Sequence, residues 1–408
     1  MTTPATNRPA TIDSRPTGPL AGIRILDMTS VVNGAYATSL LADQGAEVIK
    51  VEDPARAGAA GGDVMRQTGI QPEGVENMGV IFLGINRNKR SVVLNLRNPD
   101  DLAALKRLIA TCDAFVASVR YEGLKRLGLS YEDVRELKPD IVYAHAAGFG
   151  AEGPYAGDPA YDDLIQAATG LADVLPRTNP GMEPHLLPTL AADKVSGLFM
   201  SQALTAALLH RARTGEGQFV EVPMFECITA FTMVEHLYNH TYDPPTGDYG
   251  YPRVINPYRK PFKTRDGYIG LLPYNDTQWR QFFETAGYGP EFAEDPRFAD
   301  FAARNQNIQE LYALVEKAAA TKTTQEWLDL LRPMSIPVMK MNRLEDLESD
   351  PHLAAVGMFR RYEHPDVGGY NMLKPPVKFS RTPANIYRHA PGLGEHNAEV
   401  LAEAEPAE

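Results

Sequence analysis

A single carboxylate, Asp193, stands where the apolar segment 188–192 passes into the longest helical pattern of the chain, residues 190–213. Aspartate at such a place is often a helix cap, because its carboxylate accepts free backbone N–H groups of the first turn. The positive end of the helix dipole also favours the ionised carboxylate, and an ionised carboxylate can act as a covalent nucleophile. Cap and nucleophile are compatible roles, and these residues alone leave both open.

The segment 148–153 has the glycine spacing G-x-G-x-x-G and follows a predicted strand. A dinucleotide site would need a helix to begin directly after the glycines, so that its free N–H groups meet a pyrophosphate. Pro154, Gly157 and Pro159 follow instead and block such a helix. The segment therefore argues against a nicotinamide or flavin site and leaves a loop whose backbone can approach some other ligand.

Two groups of basic residues lie at the ends of predicted strands. Lys89 and Arg90 form the first group, and Arg120, Lys125 and Arg126 form the second. Such side chains usually form a solvated rim. Open α/β sheets, however, bind ligands at the ends of their strands, and guanidinium groups recognise phosphate. The sequence is compatible with an ordinary rim and with a cationic site for a phosphorylated ligand.

The elements that must position these residues alternate between strand and helix. Apolar runs predict strands at 23–28, 48–51, 91–96, 114–116, 141–144 and 218–222. Helical spacing predicts helices at 34–44, 100–111, 131–137 and 190–213. This alternation is typical of an α/β fold with a doubly wound parallel sheet.

The pattern changes in the segment 242–266, which is rich in Pro, Gly and Tyr and is predicted to be an irregular connection between two bodies. A smaller unit follows at about 262–335. It has a predicted strand at 268–272 and helices near 277–286, 305–319 and 324–331. We therefore expect a large α/β domain and a smaller second domain.

Composition restricts the classes of function. The chain has 408 residues with 52 acidic and 40 basic side chains, and its formal charge of −12 argues against nucleic acid and anionic membranes as partners. The two cysteines, Cys112 and Cys227, show no metal-ligand spacing and no disulfide framework. Residues 1–17 lack the apolar run of a signal peptide and are predicted to be a disordered leader. We expect a cytoplasmic protein with reduced thiols and no membrane span.

Several segments resemble the class III CoA-transferases, a family that includes formyl-CoA transferase, carnitine CoA-transferase and α-methylacyl-CoA racemase. The matching stretches are PLAGIRILDMT (19–29), GAEVIKVE (45–52), NKRS (88–91), GFG (148–150), GP (153–154), TGEGQ (214–218), DGY (266–268) and LGEH (393–396). They occur in the family's order and extend from about 19 to 401.

The resemblance implies an architecture. It implies a Rossmann-like large domain built from both ends of the chain, a small α+β domain, and an interlocked homodimer in which each chain forms a ring around the other. The boundaries that follow are a disordered leader at 1–17, the first part of the large domain at 18–225, the linker and small domain at 226–340, and the return to the large domain with the C-terminal tail at 341–408.

The resemblance also implies the chemistry. Asp193 matches the aspartate that the family uses as a covalent nucleophile to move CoA from an acyl-CoA donor, such as succinyl-CoA, to a carboxylic acid. CoA is then a substrate, and neither a metal nor a redox cofactor is implied. The residues that match CoA contacts of the family, some of them only as near matches, are Val31, Val32, Lys89, Arg90, Arg120, Arg126, Gly148, Phe149 and Gly150.

Two alternatives remain within the resemblance. The racemase branch moves an α-proton with a His/Asp pair on one side and a glutamate on the other. Its Gly-His-Asp run corresponds to 160–162 here, so Tyr161 replaces the histidine, and Asn275 replaces the glutamate. Neither residue is a base at neutral pH. The other alternative is a CoA-binding protein without catalytic activity, which the presence of Asp193 disfavours. The sequence also departs from formyl-CoA transferase, since Asp53 replaces a basic residue and the glycine-run loop is missing, so oxalate and formate are not expected substrates.

Overall fold

The computed structural model of the chain describes residues 10, 12, 15–54, 60–179 and 181–405. Most of the predicted leader, 1–17, lies outside the described residues. Ala10 and Ile12 are described, and both pack against the apolar cluster around Tyr362. The N–H of Ala10 donates to the carbonyl of Arg361 over 2.8 Å. At these two positions the chain is held by packing and by a backbone hydrogen bond.

The described residues divide into two compact units. The first comprises the described parts of Met1–Thr169, Leu187–Phe231 and Pro351–Glu408, and the second comprises those of Gly170–Leu186 and Thr232–Asp350. In chain order, the elements up to the end of the sixth strand are β1 (Arg24–Met28), α1 (Asn33–Asp43), β2 (Glu47–Glu52), α2 (Val80–Ile85), β3 (Lys89–Val93), α3 (Pro99–Ala110), β4 (Ala114–Ala117), α4 (Tyr121–Arg126), α5 (Tyr131–Leu137), β5 (Val142–Ala147), α6 (Asp162–Ala168), α7 (Leu171–Val174), α8 (Ala191–Thr214) and β6 (Gln218–Pro223).

The remaining elements belong mainly to the second unit. They are α9 (Met224–His236), β7 (Phe262–Lys263), β8 (Tyr268–Leu271), α10 (Asp276–Ala286), α11 (Gly289–Ala293), α12 (Phe301–Gln306), α13 (Ile308–Ala319), α14 (Thr324–Leu331), β9 (Val338–Lys340), α15 (Pro351–Ala355), β10 (Phe359–His364), β11 (Gly368–Leu373) and α16 (Asn397–Ala402). Strands β7, β8 and β9 form an antiparallel sheet. Helices α10, α11, α13 and α14 share one apolar core, in which the rings of Phe283 and Phe292 stack 4.7 Å apart.

The first unit is built on a six-stranded sheet with the order β3-β2-β1-β4-β5-β6, and every neighbouring pair is parallel. The predicted α/β class with a parallel sheet is therefore confirmed. The strand order reverses between β1 and β4, and the carboxyl ends of strands at such a reversal form a crevice that commonly binds ligands.

Both faces of the sheet are covered, and the side chains of each strand alternate between the two cores. On β4, Phe115 packs into the core formed with α3, whereas Val116 packs into the core formed with α1 and α8. On β5, Tyr143 packs into the core formed with α3, and Val142 packs into the core formed with α1 and α8. Strands buried on both faces consist largely of apolar residues, which is why the sequence predicted them well.

One boundary prediction differs from the structure. We predict the third strand at 91–96, and β3 instead covers Lys89–Val93. Lys89 and Arg90 therefore lie within the strand, where both side chains are buried. Apolar patterning overlooks a charged strand residue whose neutralising partners come from other parts of the chain.

Candidate functional site

A cavity of about 1340 Å³ opens at the carboxyl ends of β1, β4 and β5. Its lining includes residues 28–31 at the end of β1, 118–121 after β4 and 145–149 at the end of β5. Asp193, at the start of α8, lies in the same lining. The cavity therefore occupies the crevice that the reversal of strand order creates, and it combines a carboxylate with two of the loops that the sequence analysis singled out.

Asp193 is the third residue of α8, so it does not cap that helix. The residue at the N-cap is Leu190, which makes no side-chain capping hydrogen bond. The N–H of Asp193 donates instead to Oδ1 of Asp162 over 3.0 Å. Asp193 is buried, and within the described ranges no protein group donates a hydrogen bond to its carboxylate. The carboxylate therefore keeps its lone pairs available for a ligand in the cavity.

The charge state of Asp193 also differs from our expectation. We expect the helix terminus to favour the ionised form. Burial opposes ionisation, and together with the neighbouring carboxylates of Asp162 and Asp163 it raises the pKa of Asp193 from 3.8 to about 7. Desolvation and repulsion between like charges therefore outweigh the helix dipole. At neutral pH this carboxylate is poised between its two protonation states.

The turn after β1 is held in an unusual backbone conformation. Val31 has φ of 68°, a left-handed value that is unfavourable for a β-branched residue. Its N–H donates to Oδ1 of Asp63 over 3.1 Å, and the Ser30 hydroxyl donates to the same oxygen over 3.2 Å. Asp63 in turn forms a buried ion pair of 2.8 Å with Lys50. These bonds fix the turn, so Val31 lines the cavity, whereas Val32 is buried and is not part of the lining.

The second basic group lies at the cavity, which agrees with one of the two interpretations that its position after a strand left open. Arg120 and Arg126 line the cavity, and both are exposed to solvent there. Lys125 lines it too, paired with Glu122 over 2.8 Å. Arg97, which the sequence analysis did not single out, completes this basic rim. In the part of the chain that the structure describes, Arg97, Arg120 and Arg126 have no ion pair, so their guanidinium groups are available to an anion.

The first basic group is not at the cavity. Nζ of Lys89 is enclosed by Asp27 Oδ2, Ala35 O, Thr38 Oγ1 and Asn86 Oδ1, all at 2.8–2.9 Å. Arg90 is paired with Glu47, Glu399 and Glu403. These interactions neutralise both buried cations. Neither Lys89 nor Arg90 lines the cavity that contains Asp193.

The glycine loop forms another wall of the cavity. Gly148 and Phe149 line it, and the N–H of Gly150 donates to Oε1 of Glu226 over 2.9 Å. No helix begins within 148–153, as the following prolines predicted. A Cβ added to Gly148 would lie 2.3 Å from Cβ of Ala160, so this close approach requires glycine.

Sequence reasoning gave no role to two polar residues beside Asp193. Asp162 and Gln166 lie on α6, and both are buried. The prediction placed no helix here, although Asp162 and Asp163 directly follow a proline-rich segment and precede an apolar pair, a common signal for a helix start. Tyr161, at the racemase histidine position, lines the cavity, whereas Asn275 belongs to the second unit and caps α10 through a hydrogen bond from the N–H of Gln278.

Comparison with known proteins assigns the chain to a family. The model of CoA-transferase family III matches residues 20–397. The chain belongs to this family. It is therefore an enzyme of the CoA-transferase class, and the prediction made from the eight sequence segments is confirmed. Within the part of the chain that the structure describes, no helix is long and apolar enough to cross a membrane.

Named relatives and solved structures agree with this assignment. A succinate–glutarate CoA-transferase of Agrobacterium fabrum is 32% identical over 395 residues, which are 96% of each chain. A succinyl-CoA:glutarate CoA-transferase of Mus musculus is 33% identical over 94% of this chain and 86% of its own. The crystal structure of a CAIB/BAIF family protein from Brucella suis superposes with a TM-score of 0.78 at 29% identity and covers 95% of this chain and 100% of that one.

Proposed function

We propose that this CoA-transferase exchanges CoA between succinyl-CoA and a second short dicarboxylic acid, with Asp193 as the covalent nucleophile. The observation that carries the proposal is the buried carboxylate of Asp193, which faces the cavity without a hydrogen-bond donor among the described residues. The substrate class is supported by the Agrobacterium and mouse relatives, whose names contain succinate or succinyl-CoA and glutarate.

The first half of the reaction transfers CoA to the enzyme. A carboxylate oxygen of Asp193 attacks the thioester carbonyl of the donor, the C–S bond breaks, and CoA leaves as its thiolate. The thiolate then attacks the Asp193 carbonyl of the resulting anhydride, and the donor acid leaves as its carboxylate. Asp193 is now a CoA thioester, and no proton has been gained or lost.

The second half repeats these steps with the acceptor. The acceptor carboxylate attacks the Asp193 carbonyl of the thioester, and CoA thiolate leaves again. The thiolate attacks the acceptor carbonyl of this second anhydride, which releases the new acyl-CoA and regenerates the Asp193 carboxylate. Every nucleophile in the cycle is an anion, so only the ionised form of Asp193 can begin it.

The basic rim is proposed to hold the phosphate groups of CoA, with Arg120 and Arg126 as its sequence-predicted members and Arg97 as an addition. Val31, Gly148 and Phe149 remain proposed CoA contacts, since they line the same cavity. The surroundings of Lys89 and Arg90 support structural roles for these two cations instead. Neither Val32 nor Gly150 is part of the lining, and we do not carry them into the proposal.

The decisive experiment incubates the protein with succinyl-CoA and a panel of acids that includes glutarate, oxalate, mesaconate and monocarboxylates of matched length. Mass spectrometry should detect a new CoA thioester of a dicarboxylic acid and an equal amount of free succinate. Treatment with hydroxylamine during turnover should modify Asp193. Loss of an α-deuterium from a 2-methylacyl-CoA without any CoA exchange would contradict the proposal and favour the racemase alternative.

Neutralising the basic rim should weaken acyl-CoA binding selectively. We expect R120A and R126A each to raise KM for succinyl-CoA by about 5–10-fold, because a charge-assisted contact to phosphate is lost, and to leave kcat nearly unchanged. The increase should diminish as salt concentration rises, since salt screens such contacts. R107A, which removes an exposed arginine of α3 outside the cavity, is the control. Equal KM values for all three variants would place CoA elsewhere.

We also propose the homodimer that the family resemblance implies, in the cytoplasm, with the large domain formed from 18–225 and 341–408 and the linker and small domain from 226–340. Its support is the exposure of large apolar side chains on two adjacent helices of the first unit, Leu164 of α6 and Leu198 and Leu209 of α8, which are 51–59% exposed. Light scattering should give twice the mass of one chain at micromolar concentration. The mass of a single chain would contradict the dimer.

A further inference from the structure

The start of α8 is capped from outside the helix. Its N-cap residue, Leu190, has an apolar side chain that cannot accept a hydrogen bond. The N–H of the third helical residue, which a capping side chain usually binds, belongs to Asp193. Oδ1 of Asp162 accepts it over 3.0 Å. A carboxylate of α6 therefore performs for α8 the role that a serine or aspartate at 190 would ordinarily perform.

One turn further along α6, Gln166 holds both Asp162 and the segment that leads into α8. Its Nε2 donates to Oδ2 of Asp162 over 2.6 Å and to the carbonyl of Thr189 over 3.2 Å. Its Oε1 accepts the N–H of Leu187 over 2.9 Å. Asp162 is 6% exposed and Gln166 is 1% exposed, so these hydrogen bonds are shielded from competing water. Two side chains of one helix thus fix the position of the Asp193 backbone.

This external cap has an electrostatic consequence that a serine cap would not have. Asp162 places a negative charge beside a carboxylate that is itself buried, and both factors raise the pKa of Asp193. In the proposed cycle, Asp193 loses its charge when it becomes an anhydride or a thioester. Repulsion from Asp162 is therefore present in the free enzyme and relieved in the covalent intermediates.

We propose that Asp162, held by Gln166, is a positioning residue that fixes Asp193 at the start of α8 and, through its charge, favours the acylated forms of Asp193 over the free carboxylate. This inference rests on the proposed function for its catalytic meaning. Its electrostatic part is a property of the folded protein and can be measured without turnover.

The other charged groups near Asp193 define the control. Asp163 is the next residue of α6 and is exposed, while Glu221 of β6 and His145 of β5 line the same cavity. Lys194, adjacent on α8, is engaged with Oγ1 of Thr189 at 2.5 Å. D163N removes the same unit of charge as D162N and leaves the hydrogen bond to the Asp193 N–H intact, so it separates a specific effect of Asp162 from a general effect of charge.

The first experiment measures how D193N changes the melting temperature between pH 4 and pH 9, in the parent and in a D162N background. In the parent, the gain in melting temperature from D193N should grow with pH through pH 7 and level off above it, where Asp193 becomes fully ionised. In the D162N background, the gain should level off roughly one pH unit lower and be smaller, because the neighbouring charge is gone. In a D163N background the pH at which the gain levels off should also fall, but by less than in the D162N background, because Asp163 raises the pKa of Asp193 as well and is exposed to solvent.

D162N keeps a carbonyl oxygen for the Asp193 N–H but places an amide opposite Nε2 of Gln166. The lost hydrogen bond lowers the melting temperature at every pH. It does not prevent measurement of the pH at which the gain from D193N levels off. D162S, a neutral side chain with a smaller hydroxyl acceptor, gives the same comparison if D162N does not fold. Identical pH curves in the parent and in these backgrounds would overturn the electrostatic part of the inference.

The second experiment follows the covalent thioester on Asp193 by intact mass after mixing with succinyl-CoA. With D162N, the fraction of enzyme in the thioester form at equilibrium should fall about 5–10-fold, and the pH at which its formation rate levels off should decrease. D162A should in addition lower kcat about 10-fold with little change in KM. An unchanged thioester fraction together with an unchanged kcat would refute the positioning role. Absence of any thioester in the parent, combined with shifted stability curves, would refute the proposed function and leave the charge coupling of Asp162 to Asp193 established.

Discussion

The D193N variant is expected to lose CoA transfer by about 10³-fold or more, because an amide cannot form the anhydride and thioester that the proposed cycle requires. Succinyl-CoA should still bind with an affinity within a few-fold of the parent, since the basic rim is unchanged. Initial rates by mass spectrometry and binding by calorimetry measure the two quantities. D163N, which changes an exposed aspartate close by, should retain activity. A D193N enzyme with parental turnover would remove the chemical basis of the proposal.

The same substitution should stabilise the fold. Such a gain in stability would show that D193N loses activity without losing its structure. A carboxyl whose pKa rises from 3.8 to about 7 on folding favours the folded state fully only below pH 4. That contribution is lost as pH rises from 4 to 7. At pH 8 the parent therefore bears the cost of a buried charge, of the order of 4 kcal/mol, and asparagine does not. Thermal unfolding should show that D193N raises the melting temperature at pH 8 and leaves it almost unchanged at pH 4.

Replacing Lys89 with methionine is expected to destabilise the protein by about 3–5 kcal/mol, because it leaves Asp27 as a buried charge without its closest cation. Both side chains are fully buried. Burial alone would raise the pKa of Asp27, but Lys89 and Lys50 outweigh it and hold the pKa at about 2. Chemical denaturation at pH 7 measures the loss. KM for succinyl-CoA should stay close to the parental value under conditions in which the variant is folded.

The matched control for this substitution is K138M. Lys138 pairs with Asp140 over 3.0 Å, and both side chains are partly exposed. Removing such a pair should change the free energy of unfolding by less than about 1 kcal/mol. Parental stability of K89M together with a large increase in KM would mean that Lys89 contributes to CoA binding, as the family resemblance implied, and not to the stability of the fold.

The two outcomes for the basic residues show what patterns of residue types can predict. Arg120 and Arg126 follow a strand of a parallel sheet, and the carboxyl ends of such strands converge on one edge. Their place directly after a strand is therefore enough to explain why they lie at the cavity. Lys89 and Arg90 lie close to strand ends as well, but carboxylates at 27, 47, 399 and 403 reach them from other elements. These neutralising partners lie between 43 and 313 residues away along the chain, so they leave no local signal.

The apolar runs and helical spacings of the chain determined its α/β class, since they fix which faces must be buried, and its ordered motifs determined the family. The long helix and the place of Asp193 at its start could also be predicted locally. What only the tertiary structure decided is the state of that carboxylate. Asp162 and Gln166 cap its helix from a neighbouring one, and desolvation raises its pKa. Both effects depend on groups that are distant along the chain and adjacent in space.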